Sequence, residues 1–284
     1  MKRVLAFIGS PRSLGNCELM VKEISRHIVE PHELRLLRLS DFDIRPCRGC
    51  YACLFGDKGC VLKDEFSLVL DEILAADAYL VASPTYFLGP ASVMKRLTDR
   101  WLALYPHVEK LWGRPGVAVS IAGIEGNEGY SQVGLESFLK LLLADIKASR
   151  VVYGALPGEV FSGPGNRAVA AELAASLFAE RREDDSPSCP VCGGRTFRFL
   201  GAGKVRCMLC SSSGTVAADG DELLFHMRTG EHAMFVSLEA AVEHRSWLRG
   251  MKEKFLAERT QLKQITGGYV EGGTWVKPGG DSHG

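Results

Sequence analysis

One stretch of the sequence decides the fold: Phe7-Ile8-Gly9-Ser10-Pro11-Arg12-Ser13-Leu14-Gly15-Asn16-Cys17. It follows an apolar run, residues 4–8, that predicts a buried parallel strand, and it precedes an amphipathic helix over residues 19–28. A strand, a short Gly/Ser-rich turn and a helix N-terminus together form an anion site, because free backbone N–H groups and the helix dipole favour negative charge there. Further donors are the side chains of Ser10, Ser13, Asn16 and Arg12.

The turn lacks the patterns of the common nucleotide-binding loops. It contains no Gly-Lys-Ser/Thr, which excludes an NTP-binding P-loop, and no G-x-G-x-x-G, which argues against a dinucleotide site. A phosphate-binding loop of another class is therefore the favoured interpretation. A tight turn with ordinary capping residues is the alternative that the loop by itself leaves open.

Length and composition limit the classes of protein that the chain can belong to. Its 284 residues allow one large domain, or a medium domain with a small one. The balance of 34 basic and 34 acidic residues argues against nucleic acid as the main partner. No apolar run is as long as a membrane span, and the N-terminus enters a short strand directly instead of a signal peptide. We therefore expect a cytoplasmic protein.

The first 182 residues alternate between strand and helix patterns. Strands are predicted at residues 4–8, 33–39, 78–83, 116–121 and 151–154. Helices are predicted at residues 19–28, 64–76, 90–104, 131–148 and 167–182. Five such repeats with short connections predict an α/β fold, with a parallel sheet covered by helices on both faces. The loops after the first, third and fourth strands should meet at the carboxyl edge of the sheet, where ligands bind in such folds.

Three motifs in these loops carry a resemblance to a known family. They are Gly9-Ser10-Pro11-Arg12 with Gly15-Asn16, then Ser83-Pro84-Thr85-Tyr86, then Lys95 with Asp99-Arg100. Over about the first 180 residues the chain resembles the NADPH-dependent FMN reductase family of flavodoxin-like proteins. The resemblance implies bound FMN, a five-stranded sheet of order 2-1-3-4-5, and an even-numbered homo-oligomer such as a dimer or tetramer.

The resemblance also implies which residues would bind FMN. The phosphate would be held by Ser10, Arg12, Ser13, Asn16 and Cys17, the last replacing the usual threonine of the motif. The isoalloxazine ring would be lined by Pro84, Thr85, Tyr86 and Phe87, together with Gly89. The far edge of the ring would be closed by Gly123, Glu125 and Gly126. For Tyr86 and Phe87, simple packing in the core or at a dimer interface is the alternative.

A first set of cysteines follows the second predicted strand. Cys47, Cys50, Cys53 and Cys60 have the spacing C-x2-C-x2-C-x6-C, which suits a [4Fe–4S] cluster. This arrangement resembles the iron–sulfur flavoproteins, in which FMN and a [4Fe–4S] cluster pass electrons between a donor such as ferredoxin and an acceptor. Zinc, free thiols and a redox disulfide are the alternatives. Nearby basic residues could raise the potential of a cluster, dock an acidic ferredoxin or form a solvated surface: Arg45, Arg48 and Lys58.

A second set of cysteines follows a charged linker. Cys189, Cys192, Cys207 and Cys210 have the spacing C-x2-C-x14-C-x2-C, which predicts a zinc ribbon with one tetrahedral zinc ion. Four cysteine ligands leave no open position on the metal, so this zinc would be structural. A second iron–sulfur site or a single iron is the alternative.

These patterns divide the chain into three parts. We predict an FMN-binding domain over residues 1–183, which includes the first cysteine set, and a zinc ribbon over residues 184–218. The remaining residues, 219–284, form a tail with a strand at 222–227 and a helix at 238–265. The apolar stripe of this helix suits an interface, and the glycine-rich end of the tail is predicted to be mobile.

The favoured hypothesis is an FMN-dependent oxidoreductase, an electron-transfer iron–sulfur flavoprotein whose donor is ferredoxin or NAD(P)H. One alternative is an NAD(P)H-dependent FMN or quinone reductase without a cluster. Another is a redox-sensing or nucleic-acid-binding scaffold without catalytic activity that uses the zinc ribbon. The sequence singles out no catalytic residue.

Overall fold

The computed structural model describes residues 1–55, 59–180, 186–220 and 222–276. Contacts group the chain into two units, Met1–Arg245 and Ser246–Gly284, and the first unit contains both sheets and both cysteine sets. Among the helices of the described residues, none is both long and apolar enough to cross a membrane.

The chain forms two sheets and a series of helices. The first sheet contains β1 (Lys2–Ile8), β2 (His32–Arg38), β3 (Ala78–Tyr86), β4 (Gly89–Pro90), β5 (Pro115–Ala122) and β6 (Asp145–Tyr153). The second contains β7 (Phe197–Gly201), β8 (Lys204–Cys207), β9 (Ser213–Asp219) and β10 (Glu222–Arg228). The α-helices are α1 (Asn16–His27), α2 (Phe66–Ala75), α3 (Ser92–Thr98), α4 (Val108–Leu111), α5 (Ser131–Leu141), α6 (Gly165–Leu177) and α7 (Leu238–Gly267). Short 3-10 helices lie at Leu39–Asp41, Ala52–Leu54, Trp101–His107 and Glu159–Phe161.

The first sheet has the predicted flavodoxin-like architecture. Its five long strands are parallel and follow the order β2-β1-β3-β5-β6, which is 2-1-3-4-5 when the two-residue strand β4 is not counted. Strand β4, which the sequence did not predict, pairs antiparallel with the end of β3. Helices α1 and α6 pack on one face, and α2, α3 and α5 pack on the other. The α/β fold with helices on both faces is therefore confirmed.

The predicted helix over residues 131–148 is wrong in its last part. Helix α5 ends at Leu141, and strand β6 begins at Asp145. The helix ends because Leu143 adopts a left-handed conformation with φ of 64°. The N–H of Ala144 then donates to Leu139 O at 3.0 Å, and the N–H of Leu143 donates to Lys140 O at 2.9 Å. Helix ends with this pair of hydrogen bonds usually have glycine as the left-handed residue. Because leucine stands there in this chain, the sequence did not indicate the end of the helix.

The predicted helix over residues 90–104 is also corrected. Helix α3 ends at Thr98, and a 3-10 helix follows at Trp101–His107. Pro106 lies inside this 3-10 segment. Because proline has no backbone N–H, it prevents a regular α-helix from continuing through this turn.

The second sheet combines the ribbon with part of the predicted tail. Its antiparallel strands follow the order β10-β9-β8-β7. The predicted boundary between residues 218 and 219 therefore falls within β9, and the strand predicted at 222–227 pairs with it as β10. The other predicted boundary, between residues 183 and 184, lies outside the described residues, as does the end of the tail from residue 277.

The cysteine-bearing end of the ribbon lies beside strand β6, at one edge of the first sheet. Ile146 of β6 packs against the cluster of buried ribbon cysteines. Residues 146–150 of β6 and residues 192–195 of the ribbon line a crevice of about 400 Å³. The ribbon therefore contacts β6 at Ile146 and faces the following residues of this strand across the crevice.

Candidate cofactor and metal sites

Four loops, those after β1, β3, β5 and β6, meet at the carboxyl edge of the first sheet. The loops after β3 and β5 are joined by a hydrogen bond from Tyr130 N–H to Leu88 O at 2.7 Å. Gly89 lies so close to the Tyr130 ring that a Cβ atom at residue 89 would be 2.2 Å from it. Gly9, at the end of β1, approaches Ser83 in the same way, since a Cβ atom at residue 9 would be 2.8 Å from the Ser83 Oγ. Gly9 and Gly89 are therefore required by close contacts at the edge.

The loop after β1 forms a turn in front of helix α1. Its backbone is closed by a hydrogen bond from Gly15 N–H to Arg12 O at 3.2 Å. Ser10 is buried, and its Oγ accepts a hydrogen bond from Arg12 N–H at 3.3 Å. The side chains of Arg12 and Ser13 are exposed, so both can reach an anion at the helix N-terminus.

A carboxylate in the first turn of α1 is neutralised by two cations. Glu18 accepts hydrogen bonds from Lys22 Nζ and Arg38 Nη2, each at 2.6 Å, and from Leu14 N–H at 2.9 Å. Burial raises the pKa of Glu18, but these hydrogen bonds outweigh it, so the pKa lies below its usual value. The charge of Glu18 is thus already balanced within the protein, which limits its repulsion of an incoming phosphate.

Two predicted phosphate-binding side chains have other roles in the structure. The Asn16 amide donates to Gly154 O at 2.9 Å and Leu156 O at 3.0 Å, and its Oδ1 accepts from Gly158 N–H at 2.9 Å. Its side chain therefore fixes the loop after β6 against α1. The Cys17 side chain lies in the core, where burial raises the pKa of its thiol to about 12 and keeps it neutral. At both positions the backbone N–H, rather than the side chain, is the group that the helix N-terminus offers to an anion.

The loop after β3 presents two aromatic side chains to solvent. Pro84 and Thr85 are half-buried, Tyr86 is 48% exposed and Phe87 is fully exposed. Packing in the core is therefore excluded for both aromatic residues. Phe87 and Leu88 have positive φ angles of 48° and 68°, a conformation that non-glycine residues rarely adopt and that is common at ligand-binding loops.

A chain of hydroxyl groups supports the loop after β3. Thr85 Oγ1 lies 3.1 Å from Ser120 Oγ, which donates to Ser131 Oγ at 2.7 Å. Ser120 and Ser131 are both buried, and the sequence analysis did not identify either of them. A serine in the middle of the apolar strand Val119-Ser120-Ile121 was the signal that could have revealed this network.

The loop after β5 closes the same edge. Gly123, Glu125 and Gly126 are exposed, and Gly126 has a positive φ of 78°. Tyr153, at the end of β6, donates to Glu128 Oε2 at 3.3 Å, which ties the base of this loop to the neighbouring strand. All three residues predicted at the far edge of the ring are therefore accessible to a ligand at this edge of the sheet.

The first cysteine set lies in the segment after β2, which leaves the sheet at the same edge. Cys47 and Cys50 are exposed, Cys60 is half-buried and Cys53 is buried. Burial, followed by the nearby Cys60 thiol, raises the pKa of Cys53 to about 11. The Gly49 N–H donates to Cys47 Sγ at 3.4 Å, and such hydrogen bonds stabilise a metal-bound thiolate. Arg45 and Arg48 are exposed, whereas Gly56, Asp57 and Lys58 lie outside the described residues.

Comparison with known proteins identifies the family of the α/β part. Residues 2–142 match the profile of the NADPH-dependent FMN reductase family. Residues 2–142 therefore form a domain of that family. The predicted family is thereby confirmed.

Several known proteins are similar to this chain in sequence or in structure. An iron–sulfur flavoprotein of Archaeoglobus fulgidus is 37% identical over 101 residues, which are 34% of this chain and 48% of the relative. An iron–sulfur flavoprotein of Methanocaldococcus jannaschii is 35% identical over 99 residues, 34% of this chain and 51% of the relative. The chain thus spans about half the length of these curated relatives. The solved structure of a flavone reductase shares the fold, with a TM-score of 0.68 at 18% identity over 97% of this chain and 100% of that one.

The second cysteine set lies beyond the part that matches the FMN reductase family. In the described ranges, only Cys189, Cys192, Cys207 and Cys210 bring three or more candidate metal-ligating atoms within 4.8 Å of one another. The Sγ atoms of Cys189 and Cys210 are 3.8 Å apart, and those of Cys192 and Cys207 are 3.6 Å apart. Four sulfurs placed tetrahedrally at about 2.3 Å from a zinc ion would be about 3.8 Å apart. The geometry fits a single tetrahedral ion.

The electrostatics of the second set also favour a cation. Contacts among the four thiols lower the pKa of Cys189 to about 6 and lower that of Cys210, whereas they raise the pKa of Cys192 and Cys207. All four cysteines are buried. Neighbouring buried thiolates repel one another, and a divalent metal ion removes that repulsion.

Proposed function

We propose that the chain is an FMN-dependent oxidoreductase in which FMN and a [4Fe–4S] cluster exchange electrons. The donor would be ferredoxin or NAD(P)H. The observation that carries this proposal is the position of the four loops and of the first cysteine set at one edge of the sheet. Because the five long strands are parallel, the segment after β2 leaves at the same edge as the loops after β1, β3 and β5.

The phosphate of FMN would lie at the N-terminus of α1. The exposed Arg12 and Ser13 side chains and the backbone N–H groups of the first helical turn are the donors that suit it. Tyr86 and Phe87 offer an exposed aromatic surface for the ring, and Gly123, Glu125 and Gly126 would face its far edge. When bound, FMN supplies hydride or one-electron chemistry, and the protein supplies binding and orientation.

We assign the first cysteine set to an iron–sulfur cluster. The spacing C-x2-C-x2-C-x6-C of Cys47, Cys50, Cys53 and Cys60 supplies four thiolates from one short segment, as such clusters require. The hydrogen bond from Gly49 N–H to Cys47 Sγ and the names of the two archaeal relatives support the same assignment.

The second cysteine set would hold one structural zinc ion. Its four buried sulfurs have the spacing that a tetrahedral ion requires, and four protein ligands leave no position for a substrate. We therefore assign Cys189, Cys192, Cys207 and Cys210 to zinc and give the ribbon no catalytic role.

A second copy of the chain would complete the FMN site. Apolar side chains from the loops after β1, β3, β5 and β6 are exposed around this edge: Leu14, Tyr86, Phe87, Leu88, Ile124, Tyr130 and Leu156. Clusters of exposed apolar residues of this kind are typical of protein interfaces. We infer a homo-oligomer, and a cytoplasmic location because the two thiol sets need a reducing compartment to bind metal.

Metal analysis and absorption spectra of protein purified without oxygen test the proposal. We expect flavin absorption with broad iron–sulfur absorption, about four irons and about one zinc per chain. The variant Cys50→Ser should lose iron and keep both flavin and zinc. Flavin and zinc without iron in the natural protein would instead indicate an FMN or quinone reductase. A protein that neither contains nor takes up FMN would overturn the proposal.

The variant Arg12→Ala tests the phosphate site. Loss of a charge-assisted hydrogen bond should weaken FMN binding by about 1.5–3 kcal/mol. This corresponds to a dissociation constant roughly tenfold to 150-fold higher. Arg12→Lys keeps the charge but not the two-pronged geometry, so its affinity should lie between the two. Fluorescence titration of flavin-free protein measures all three values, and an unchanged affinity of Arg12→Ala would remove Arg12 from the site.

A further inference from the structure

A buried ion pair lies behind the first cysteine set. Arg100, between α3 and the following 3-10 helix, pairs with Asp64, which comes four residues after Cys60. Arg100 Nη1 lies 2.5 Å from Asp64 Oδ2, and Nη2 donates to Oδ1 at 3.2 Å. Only 1% of each side chain is exposed. The guanidinium also lies over the Phe66 ring at 4.5 Å, which fixes its plane.

The ion pair holds both ends of the cysteine segment. At the beginning of the segment, Arg45 N–H donates to Asp64 Oδ2 at 2.9 Å, and Arg45 O accepts from Arg100 Nη1 at 2.8 Å. One step outward, Asp43 N–H donates to Glu65 Oε2 at 2.6 Å, and Glu65 N–H donates to Asp43 O at 3.0 Å. The chain therefore enters and leaves the cysteine segment at adjacent points that Arg100 and Asp64 bind together.

One donor of Arg100 has no acceptor among the described residues. Nη1 and Nη2 are engaged by Asp64 and Arg45, whereas Nε is buried without a partner. The cysteine nearest to this ion pair in the chain is Cys60, which is half-buried and precedes Asp64 by four residues. A buried N–H without an acceptor is costly, and a metal-bound sulfur at residue 60 would supply one.

We propose that Arg100 is a positioning residue for the first cysteine set, which closes the cysteine segment through Asp64 and Arg45 and directs a positive charge toward the sulfur of Cys60. This inference rests on the proposed [4Fe–4S] cluster for its effect on electron transfer. Reduction adds one negative charge to a cluster, and hydrogen bonds to its sulfurs favour the reduced state. Within the ion pair the charge of Asp64 offsets that of Arg100, so an uncharged residue at position 100 would leave Asp64 as an unpaired negative charge in a region of low dielectric constant. Compared with such a variant, Arg100 therefore raises the reduction potential of the cluster.

Three variants separate this role from a merely structural one. Arg100→Gln removes the charge, and Arg100→Lys keeps it. Arg114→Gln is the control. Like Arg100, Arg114 donates hydrogen bonds to the main chain, here to Ile73 O and Leu74 O, but it lies at the opposite end of the sheet. In a redox titration followed by electron paramagnetic resonance, the potential of Arg100→Gln should be lower than that of the natural protein. Arg100→Lys should remain close to the natural value, and Arg114→Gln should not change it.

A second measurement does not require iron. In protein prepared with zinc but without iron, hydrogen exchange of the segment 43–50 reports whether the ends of the cysteine segment are held together. We expect exchange in Arg100→Gln to be about tenfold faster or more, and exchange in Arg114→Gln to be unchanged there. Unchanged exchange in Arg100→Gln would overturn the positioning role, and an unchanged cluster potential would overturn the electrostatic role. If the natural protein binds no iron, the proposed cluster and the effect on its potential both fail, while the exchange measurement still decides whether Arg100 holds the segment.

Discussion

Removal of the proposed zinc ion from the ribbon is expected to unfold residues 189–228 and to leave the proposed FMN site intact. Few apolar side chains hold this sheet together. Its hydrophobic cluster is built from its four cysteines and Leu209, with Val191, Phe197 and Met227 of the ribbon and Ile146 of β6 packed around them. Binding of a structural zinc ion contributes about 10–16 kcal/mol at neutral pH in small zinc domains. Without it, four buried thiols would remain in contact with no cation among them.

The variant Cys192→Ser removes one of the four proposed zinc ligands. Its control is Cys17→Ser, which alters the one cysteine outside both sets. Cys192→Ser should contain no zinc and become sensitive to protease between residues 189 and 228, whereas Cys17→Ser should keep about one zinc per chain. Metal analysis with limited proteolysis measures both effects. A ribbon that resists protease after zinc has been removed would show that side-chain packing alone folds it.

The variant Gly129→Ala is expected to disrupt the FMN site while the sheet remains folded. Gly129 has a positive φ of 53°, and a Cβ atom there would lie 2.3 Å from Leu88 Cβ and 2.4 Å from Leu88 O. The strained conformation costs roughly 1–2 kcal/mol, and overpacking adds about 1–3 kcal/mol. The loops after β3 and β5 must then separate, so FMN affinity should fall by about tenfold or more.

Gly113→Ala separates strain from steric contact. Gly113 also has a positive φ, 76°, but no atom lies within 4 Å of its Cβ position. It precedes β5 at the amino end of the sheet, away from the candidate site. Both variants should unfold at somewhat lower temperature, but only Gly129→Ala should lose FMN in a fluorescence titration. Equal FMN affinities for the two variants would show that the contact with Leu88 does not shape the site.

The sequence predicts the sheet because its signals are local and repeated. Each parallel strand is a short apolar run, and each helix has its own periodicity, so the type of each element follows from the pattern. The strand order was implied by the family resemblance, and the sheet agrees with it. The signals fail where a residue acts against its usual preference. Leu143 ends α5 in a left-handed conformation that normally indicates glycine, and the amphipathic edge strand β6 continued the helical pattern.

The candidate site is predicted at the level of loops and less well at the level of side chains. The Gly/Ser-rich turn correctly indicates a helix N-terminus at the carboxyl edge. The Asn16 side chain, however, forms hydrogen bonds with the loop after β6, where Gly154 is 138 residues away in sequence. No feature of the sequence around Asn16 indicates so distant a partner. Arg100 was noted as part of a family motif, whereas its buried contacts with Asp64 and Arg45 depend on the tertiary fold.

The position of the ribbon beside β6 has a consequence for assembly of the chain. Strand β6 is the last in its sheet, so one side of its backbone has no neighbouring strand within the described part of the chain. Unprotected edges of this kind recruit strands from other molecules and start aggregation. The ribbon packs on Ile146, near the start of this strand, and would hinder such recruitment there. If the ribbon folds around the proposed zinc ion, protein synthesised without zinc should aggregate more readily.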